Sequence, residues 1–521
     1  MYITLKNFNE KRECYLEEVI NKCDSGTTIN FEPGNYHIGR YLNLSNIHDV
    51  KFDGDGAVFI THFDAVAPEN TCGMFHCDNC ENIRFFNMCF DTDSVVASSG
   101  YVTKTDAENS FYEMKLYDGF SMENGEVMRA VDSFDEEGIP DYVMVHYLAD
   151  TQYENIGDNT LRIKLTEDHK HQIANLKIGH KMSIRHSIYN KPIFYFNHCK
   201  DVSFENIRVF SANNLIVINE CENLYVKNLC VKAHDGSKQL MNTVKDGIWV
   251  NGLRGELVLE NSHFERVGDD SLNVHSRGKK VLDVQGNEIF FEDNENSEWA
   301  IRGDVLDVHN SETFEKNAEL TVKEYKKGKI IFDGNAENIK PGDVLCNTAY
   351  YCSVRVSNTI IKNSRARALL FQTRNVVVEN CDISETALAA ILMAPDMKIW
   401  YELGPCTNIL VKNNKITKCC NDRGIMSNGV ISILAAHDSV NTAMKNQIHK
   451  NICIENNELK DCPTTILHAE ATDGIAFLDN NINGNFNAVK KINRIKNFRL
   501  IFMDVQMFLY AYIRIISIQV V

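Results

Sequence analysis

The sequence has no surplus of positive charge. Lysine and arginine together number 54 against 71 aspartates and glutamates, a formal net charge of −17. A nucleic-acid binder needs a basic face to replace phosphate counterions, so no nucleic-acid partner is expected. A polyanionic glycan is disfavoured more weakly, because local field can differ from net charge, and a neutral sugar suits an acidic chain better. The opening MYITLKNFNEKREC lacks the apolar core of a secretory leader. No stretch has the make-up of a membrane-spanning helix, and no membrane partner is expected. The most apolar segment, Phe498 to Val521, carries Arg499, Asp504 and Arg514 at depths a bilayer would not tolerate. That segment breaks the pattern of everything before it and reads as a terminal strand and cap, or as a shifted reading frame. Among the 17 cysteines no CxxC pair has further ligands at zinc spacing. Their odd number and apolar settings, as in NLCVK and NICIEN, suggest reduced core cysteines, a reducing compartment and a cytoplasmic location.

What is present is a short repeat. NIRFFNMCF (82–90), VSFENIRVF (202–210) and NLYVKNLCV (223–231) share one pattern, followed later by LVLENSHF, NVVVENCDI, NILVKNNKI, NICIENNEL and IAFLDNNI. Each is a short alternating strand, a turn carrying Asn, and a second short strand. Spacings such as Asn206 to Asn228 and Asn380 to Asn413 put the period at roughly 22 to 33 residues. A coil of that length cannot bury its inner face alone, so coils stack into a continuous core. Asn at a fixed corner tolerates the left-handed backbone and can hydrogen-bond its neighbours above and below. The leucine-rich repeat fails as a rival because its Leu pattern and helical segments are missing. The fold class expected is all-β: a right-handed parallel β-helix. Leu16, Val19, Ile20 and Cys23 form one face of a short helix that caps the first coil and hides its open edge.

Two stretches interrupt the repeat, 100–186 and 279–347. Both are rich in short alternating strands and end alike, in LKIGHKMSI and IKPGDVLCN. Structureless loops of that length are uncommon, so they read as two inserted β-barrel-like domains. The chain divides into a cap and first coils (1–99), the first insertion, coils 187–278, the second insertion, coils 348–487 and an atypical segment 488–521.

The segment KDGIWVNGLRGELVLENSHFERVGDDSLNVHS carries the chemistry. From Asp246 to Asp269 is about one coil, and equivalent positions on successive coils lie about 4.8 Å apart. Asp246, Asp269 and Asp270 are therefore expected to converge on one face. Carboxylates that close raise one another's pKa, which supplies the protonated acid and ionised base that glycoside hydrolysis requires. Asn273 and His275 share a strand face and can meet sugar hydroxyls. Arg365 and Arg367 share another, either binding substrate or bracing the coil against an inserted domain. Asp396, Trp400 and Glu402 combine a ring that stacks on a pyranose with carboxylates for its hydroxyls.

The run DG, GDDSLNVHS, SRARALLFQT and ALAAILMAPDMKIWYELG resembles glycoside hydrolase family 110, over roughly residues 1 to 480. The resemblance implies an inverting α-1,3-galactosidase on a β-helix with inserted β-barrel domains, acting on glycans with a terminal α-galactose. The aspartates also resemble those of polygalacturonases, which implies Asp269 as general acid and Asp246 with Asp270 as the pair that activates water. Ser276 stands where that family pattern has Gly, and the chain after about Asn487 does not resemble the family's closing coils. No cofactor and no metal are expected, because no His, Cys and carboxylate set has ligand spacing. Two rivals use the same coil. A pectin-type lyase needs a basic proton abstractor and usually calcium, and the sequence suggests no Lys or Arg pairing at Asp246 to Asp270. A non-catalytic glycan-binding solenoid would leave three ordinary carboxylates.

Overall fold

The computed structural model describes residues 2–5, 13–147, 153–293, 298–423, 426–435, 446–484, 489–493 and 496–501. Its body is a parallel β-helix in which each coil contributes strands to three faces. One face, here called the cleft face, stacks Leu42–Ser45, Phe75–Asp78, Phe194–Asn197, 216–219, 248–251, 272–275, Leu369–Phe371, Ile391–Met393 and Ile431–Ile433, all parallel and in register. The strands through 202–231 pair parallel with their neighbours. Alternation sends every second side chain inward. Equivalent inward positions hold like residues, so rings stack on rings: Phe52 on Phe85 at 5.0 Å and Phe85 on Phe204 at 5.2 Å between centroids.

The corners explain the asparagines. Asn82, Asn206, Asn223, Asn228, Asn375, Asn380, Asn408, Asn413, Asn451 and Asn456 all have φ between +52° and +58°. Asn reaches this left-handed region more readily than other residues with a Cβ. Its amide then bonds the coil below, as Asn228 does with Asn206 at 2.9 Å and Asn451 with Asn408 at 3.1 Å. At the N-terminal end the helix Glu13–Asn21 places Leu16 and Ile20 on the core. At the other end Lys496–Ile501 adds a strand on Thr472–Leu478, while 502–521, which hold most of the atypical segment, lie outside the described residues.

Two antiparallel sheets leave the helix. Between Ala97 and Arg185 seven strands pair in an open order around their own core, which includes Tyr112, Met144 and Ile184. Between 278 and Asn347 six strands close on themselves, because 278–280 pair with 344–346 to complete the circuit. Among the described residues no helix is long and apolar enough to cross a membrane, and no disulfide forms.

Candidate active site

The site sits where two successive coils turn into the cleft face. Glycines make the approach possible. A Cβ on Gly247 would lie 2.6 Å from the Ser271 carbonyl oxygen, and one on Gly268 would lie 2.4 Å from those of Thr243 and Val244. Neither contact is sterically tolerable, so Asp-Gly and Gly-Asp-Asp here are tight junctions between coils. The pairing Ile248↔Leu272↔Leu369 fixes what stacks on what. Counting back two residues puts Asp270 over Asp246 and Arg367 over Asp270. The one-coil partner of Asp246 is thus Asp270, and Asp269 is level with Lys245. The sequence spacing had put Asp269 in that place. The error is one residue, and the loop between the coils absorbs it.

All three carboxylates still converge. One oxygen of each of Asp246, Asp269 and Asp270 lies within 4.8 Å of the others. Asp246 and Asp270 are buried, while the Asp269 side chain is 26% exposed. Asp246 accepts the Asp270 backbone N–H at 3.2 Å. The Arg367 Nε donates to Asp270 Oδ1 at 2.7 Å, and its backbone N–H reaches the same oxygen at 3.2 Å. Burial opposes the Arg367 charge, but Asp270, Asp269 and Glu402 outweigh it and raise its pKa. Burial also raises the Asp246 carboxyl well above the usual carboxylate range; Asp269, Asp270 and Glu402 push the same way, and Lys245 opposes them. The trio offers oxygen ligands of the type a hard divalent cation takes. Arg367 and Lys245 already bring positive charge to it.

Lys245 and Arg367 overturn one expectation. Basic residues do pair with the aspartates, Lys245 Nζ lying 3.9 Å from Asp246 Oδ2. Lys245 is also held over the rings of Trp249, at 4.2 Å, and Tyr189, at 4.6 Å. The first ground for setting aside a lyase therefore falls away. The signal was in the sequence, since Lys245 and Trp249 flank Asp246 within KDGIWV. What hid it was Tyr189, which comes from a distant segment.

The other candidates divide. His275 and Asn273 face the site together, with His275 Nδ1 3.0 Å from Asn273 Oδ1 and Nε2 3.8 Å from Glu402 Oε1. Burial pushes the His275 pKa down to about 4, so the ring is neutral at pH 7. Arg365 takes the bracing role. Its Nε donates to Asp132 Oδ1 of the first inserted sheet at 2.7 Å, its Nη1 donates to the Gly268 carbonyl at 3.3 Å, and Asp269 lies 3.9 Å away. Asp396 shapes a loop: its carboxylate accepts the backbone N–H groups of Lys398, Ile399 and Trp400 at 2.8 to 3.0 Å. That capping leaves it little capacity for substrate and presents Trp400, half exposed, 6.3 Å from the Tyr189 ring.

A cleft of about 740 Å³ is lined among others by Tyr41, His76, Tyr189, Tyr195, Lys245 and Trp249; none of the three aspartates lines it, and it meets them through Lys245, whose Nζ lies 3.9 Å from Asp246. His76, Tyr195, Val217, Trp249 and Asn273 form one outward row along successive coils. Past Asn273 the row continues as Leu370 and Leu392, which are buried with Ala389, Ala394 and Leu434. The face is open on one side of the trio and covered on the other.

No protein-family model matches the chain. It is 24% identical to a protein named alpha-1,3-galactosidase B of Akkermansia muciniphila, over 84% of this chain and 57% of that one. It is 23% identical to alpha-1,3-galactosidase A of Bacteroides fragilis, over 85% of this chain and 75% of that protein. The chain spans little more than half the length of the first of these relatives. Among solved structures it is similar to a family 28 exopolygalacturonase of Yersinia enterocolitica, with a TM-score of 0.42 and 11% identity over 97% of this chain and 79% of that chain. A family 87 alpha-1,3-glucanase catalytic domain gives a TM-score of 0.41 at 11% identity, over 96% of this chain and 66% of that one. In sequence, then, this parallel β-helix is similar over most of its length to proteins named alpha-1,3-galactosidase.

Proposed function

We propose that the protein is an exo-acting, inverting α-galactosidase that removes terminal α-1,3-linked galactose from glycans. The observation that carries this is the convergence of Asp246, Asp269 and Asp270 at the covered end of an aromatic-lined cleft. A covered end suits a chain terminus. The relatives' names motivate the sugar and the linkage.

Arg367 holds Asp270 as a carboxylate. Asp246 carries the proton, because burial and the neighbouring Asp269 disfavour its charge. Asp269 is the member exposed enough for a leaving oxygen to reach. The proton passes from Asp246 to Asp269 and then to the glycosidic oxygen. Asp246 and Asp270, both ionised, hold and deprotonate the attacking water. Neutral His275, with its Nδ1–H donated to Asn273, accepts a sugar hydroxyl at Nε2, and Glu402 takes another. The raised pKa of Asp246 also favours a second reading, in which Asp246 delivers the proton directly. A non-catalytic solenoid gains nothing from so perturbed a carboxyl.

The nearest oxygens of the trio lie within 4.8 Å of one another, closer than the roughly 6.5–9.5 Å that separates acid and base in most inverting enzymes, and in the proposed mechanism the water lies beside the pair rather than between its members. A panel of α- and β-linked galactosides, with the first-formed anomer read by NMR, tests the whole reading. Release of β-galactose from the α-1,3-linked member alone is the expected result. First release of α-galactose overturns inversion. An unsaturated product absorbing in the ultraviolet means a lyase. Loss of activity with chelator and its return with a divalent cation means a metal in the trio.

A further inference from the structure

The cleft is longer than one sugar needs, and its walls repeat with the coils. Beside the row His76, Tyr195, Val217, Trp249 runs a second outward row: Asp78, Asn197, Asn219, Asn251 and His275, each the register partner of the next. Asn197 donates to Asp78 at 2.7 Å and Asn251 to Asn219 at 3.1 Å. One edge of the cleft is therefore aromatic and the other is amide, along the helix axis. The next position on each coil is a corner with positive φ: Asn46, Asn79, His198, Glu220 and Gly252. Asn or Gly fills that corner without strain. On two adjacent coils the chain instead places His198 and Glu220, with His198 Nε2 3.0 Å from Glu220 Oε2. Glu220 lines the cleft and is 7% exposed.

We propose that this part of the cleft binds the acceptor side of a neutral oligosaccharide, one sugar per coil, for at least two sugars beyond the terminal one. The proposal rests on the reading that the terminal sugar sits at the aspartates. Successive coils are about 4.8 Å apart, close to the length of a pyranose ring. Trp249 and Tyr195, two coils apart with Val217 between them, give the outer two of three rings an aromatic face and the middle one an aliphatic contact, and the asparagines offer donors and acceptors to the hydroxyls. Glu220, held by His198, accepts hydrogen bonds from adjacent hydroxyls of the distal sugar. The cleft is also lined by Lys191 and Lys245, so the neutral class rests on Glu220 alone, where a uronate or a sulfate on the distal sugar would meet a second anion.

The test compares kcat/KM for α-galactosyl disaccharide and tetrasaccharide of neutral hexoses in the native protein, Tyr195→Ala and Glu220→Asn. Asparagine keeps the left-handed corner, so the fold survives the second change. In the native protein the tetrasaccharide is expected to win by about tenfold or more, and each variant should reduce that ratio at least about fivefold. A native ratio near one, or a ratio untouched in both variants, overturns the proposal. If no α-galactoside is turned over at all, the functional reading fails and titration calorimetry still decides this one. Tetrasaccharide bound by the native protein and weakened in both variants supports it. Absent or equal binding, or tighter binding of a sulfated tetrasaccharide than of the neutral one, overturns it.

Discussion

Two regions of this helix stack identical polar residues at equivalent positions on successive coils, with opposite results. Asn414, Asn457 and Asn480 form a buried ladder. Asn414 donates to the Asn457 side-chain oxygen at 2.9 Å, Asn457 donates to that of Asn480 at 2.9 Å, and the backbone N–H groups of Asn414 and Asn457 reach the same two oxygens. Asp246 and Asp270 are stacked by the same register rule. An amide both donates and accepts, so a column of amides satisfies itself. An ionised carboxylate only accepts, so a column of them needs protons and cations from elsewhere, here a proton on Asp246 and the side chains of Arg367 and Lys245. One fold operation yields a self-satisfied column from Asn and, from Asp, a carboxyl whose pKa is raised by burial and by its neighbours.

The sharpest way to break the contrast is to turn the Asp stack into amides. Asp246→Asn, Asp269→Asn and Asp270→Asn should each lower kcat by about 10²–10⁴-fold, since acid and base catalysis each supply about that much; the first two should fold normally, while Asp270→Asn leaves the buried Arg367 without its carboxylate and should also lower the Tm. Only the acid's variant should recover on a nitrophenyl galactoside, whose leaving group needs little protonation. Recovery in Asp269→Asn supports Asp269 as the acid, and recovery in Asp246→Asn transfers the role. Near-native turnover in any two of the three moves the active site toward Trp400 and Glu402.

Arg367→Met leaves Asp270 buried without its guanidinium. Breaking such a pair costs roughly 3–5 kcal/mol. The expected outcome is a lowered Tm and lost activity. Adding Asp270→Asn should return the Tm and not the activity. If the double variant is no more stable than the single, the ion pair is not what holds the corner.

The reverse conversion, Asn457→Asp, puts a carboxylate into the amide column. It removes the donations to Asn480 and to the Val411 carbonyl, and sets oxygen against oxygen. Stability at pH 7 should fall by about 3 kcal/mol and partly return as pH falls toward about 3.9, because burial makes the folded carboxyl protonate above that unfolded value. Turnover per folded molecule should not change. A Tm at pH 7 equal to the native value would mean that the ladder contributes nothing.

The fold was legible because its constraint is local. A left-handed corner selects Asn one residue at a time, and so the repeat stands out in the sequence. Leu16 and Ile20 revealed the capping helix in the same way. The site was half legible. Three aspartates near a one-coil spacing pointed to convergence, but the choice between Asp269 and Asp270 as the stacked partner turned on the exact length of a loop. Asp396 looks like a substrate ligand from sequence and Arg365 like either a ligand or a brace, because a charged side chain shows its chemistry and not its partner. Asp132, which claims Arg365, lies 233 residues away in an inserted sheet. The aromatic cleft was missed for a related reason: Tyr41, His76, Tyr195 and Trp249 come from four coils and meet only when register is known.

The smallest effect sharpens the comparison most, because it reads the proton itself. Asp246 has its folded-state pKa raised above the value of about 3.9 in an unfolded chain. Between those two values the native state binds a proton that the unfolded state has released. Stability from this group is therefore fully present below the unfolded value and is lost as pH rises through the folded one. Asparagine at the same place cannot ionise and still accepts the Asp270 N–H. The Tm of Asp246→Asn minus that of the native protein should thus grow as pH rises from 4 toward 8, with the variant the more stable at the top of the range. His275 and His449 complicate either curve alone. Burial pushes both down to about 4, so each costs stability as pH falls from about 6.5. That loss is common to the two proteins and cancels in the difference. A difference that shrinks or turns negative with rising pH would mean that Lys245 holds Asp246 as a carboxylate.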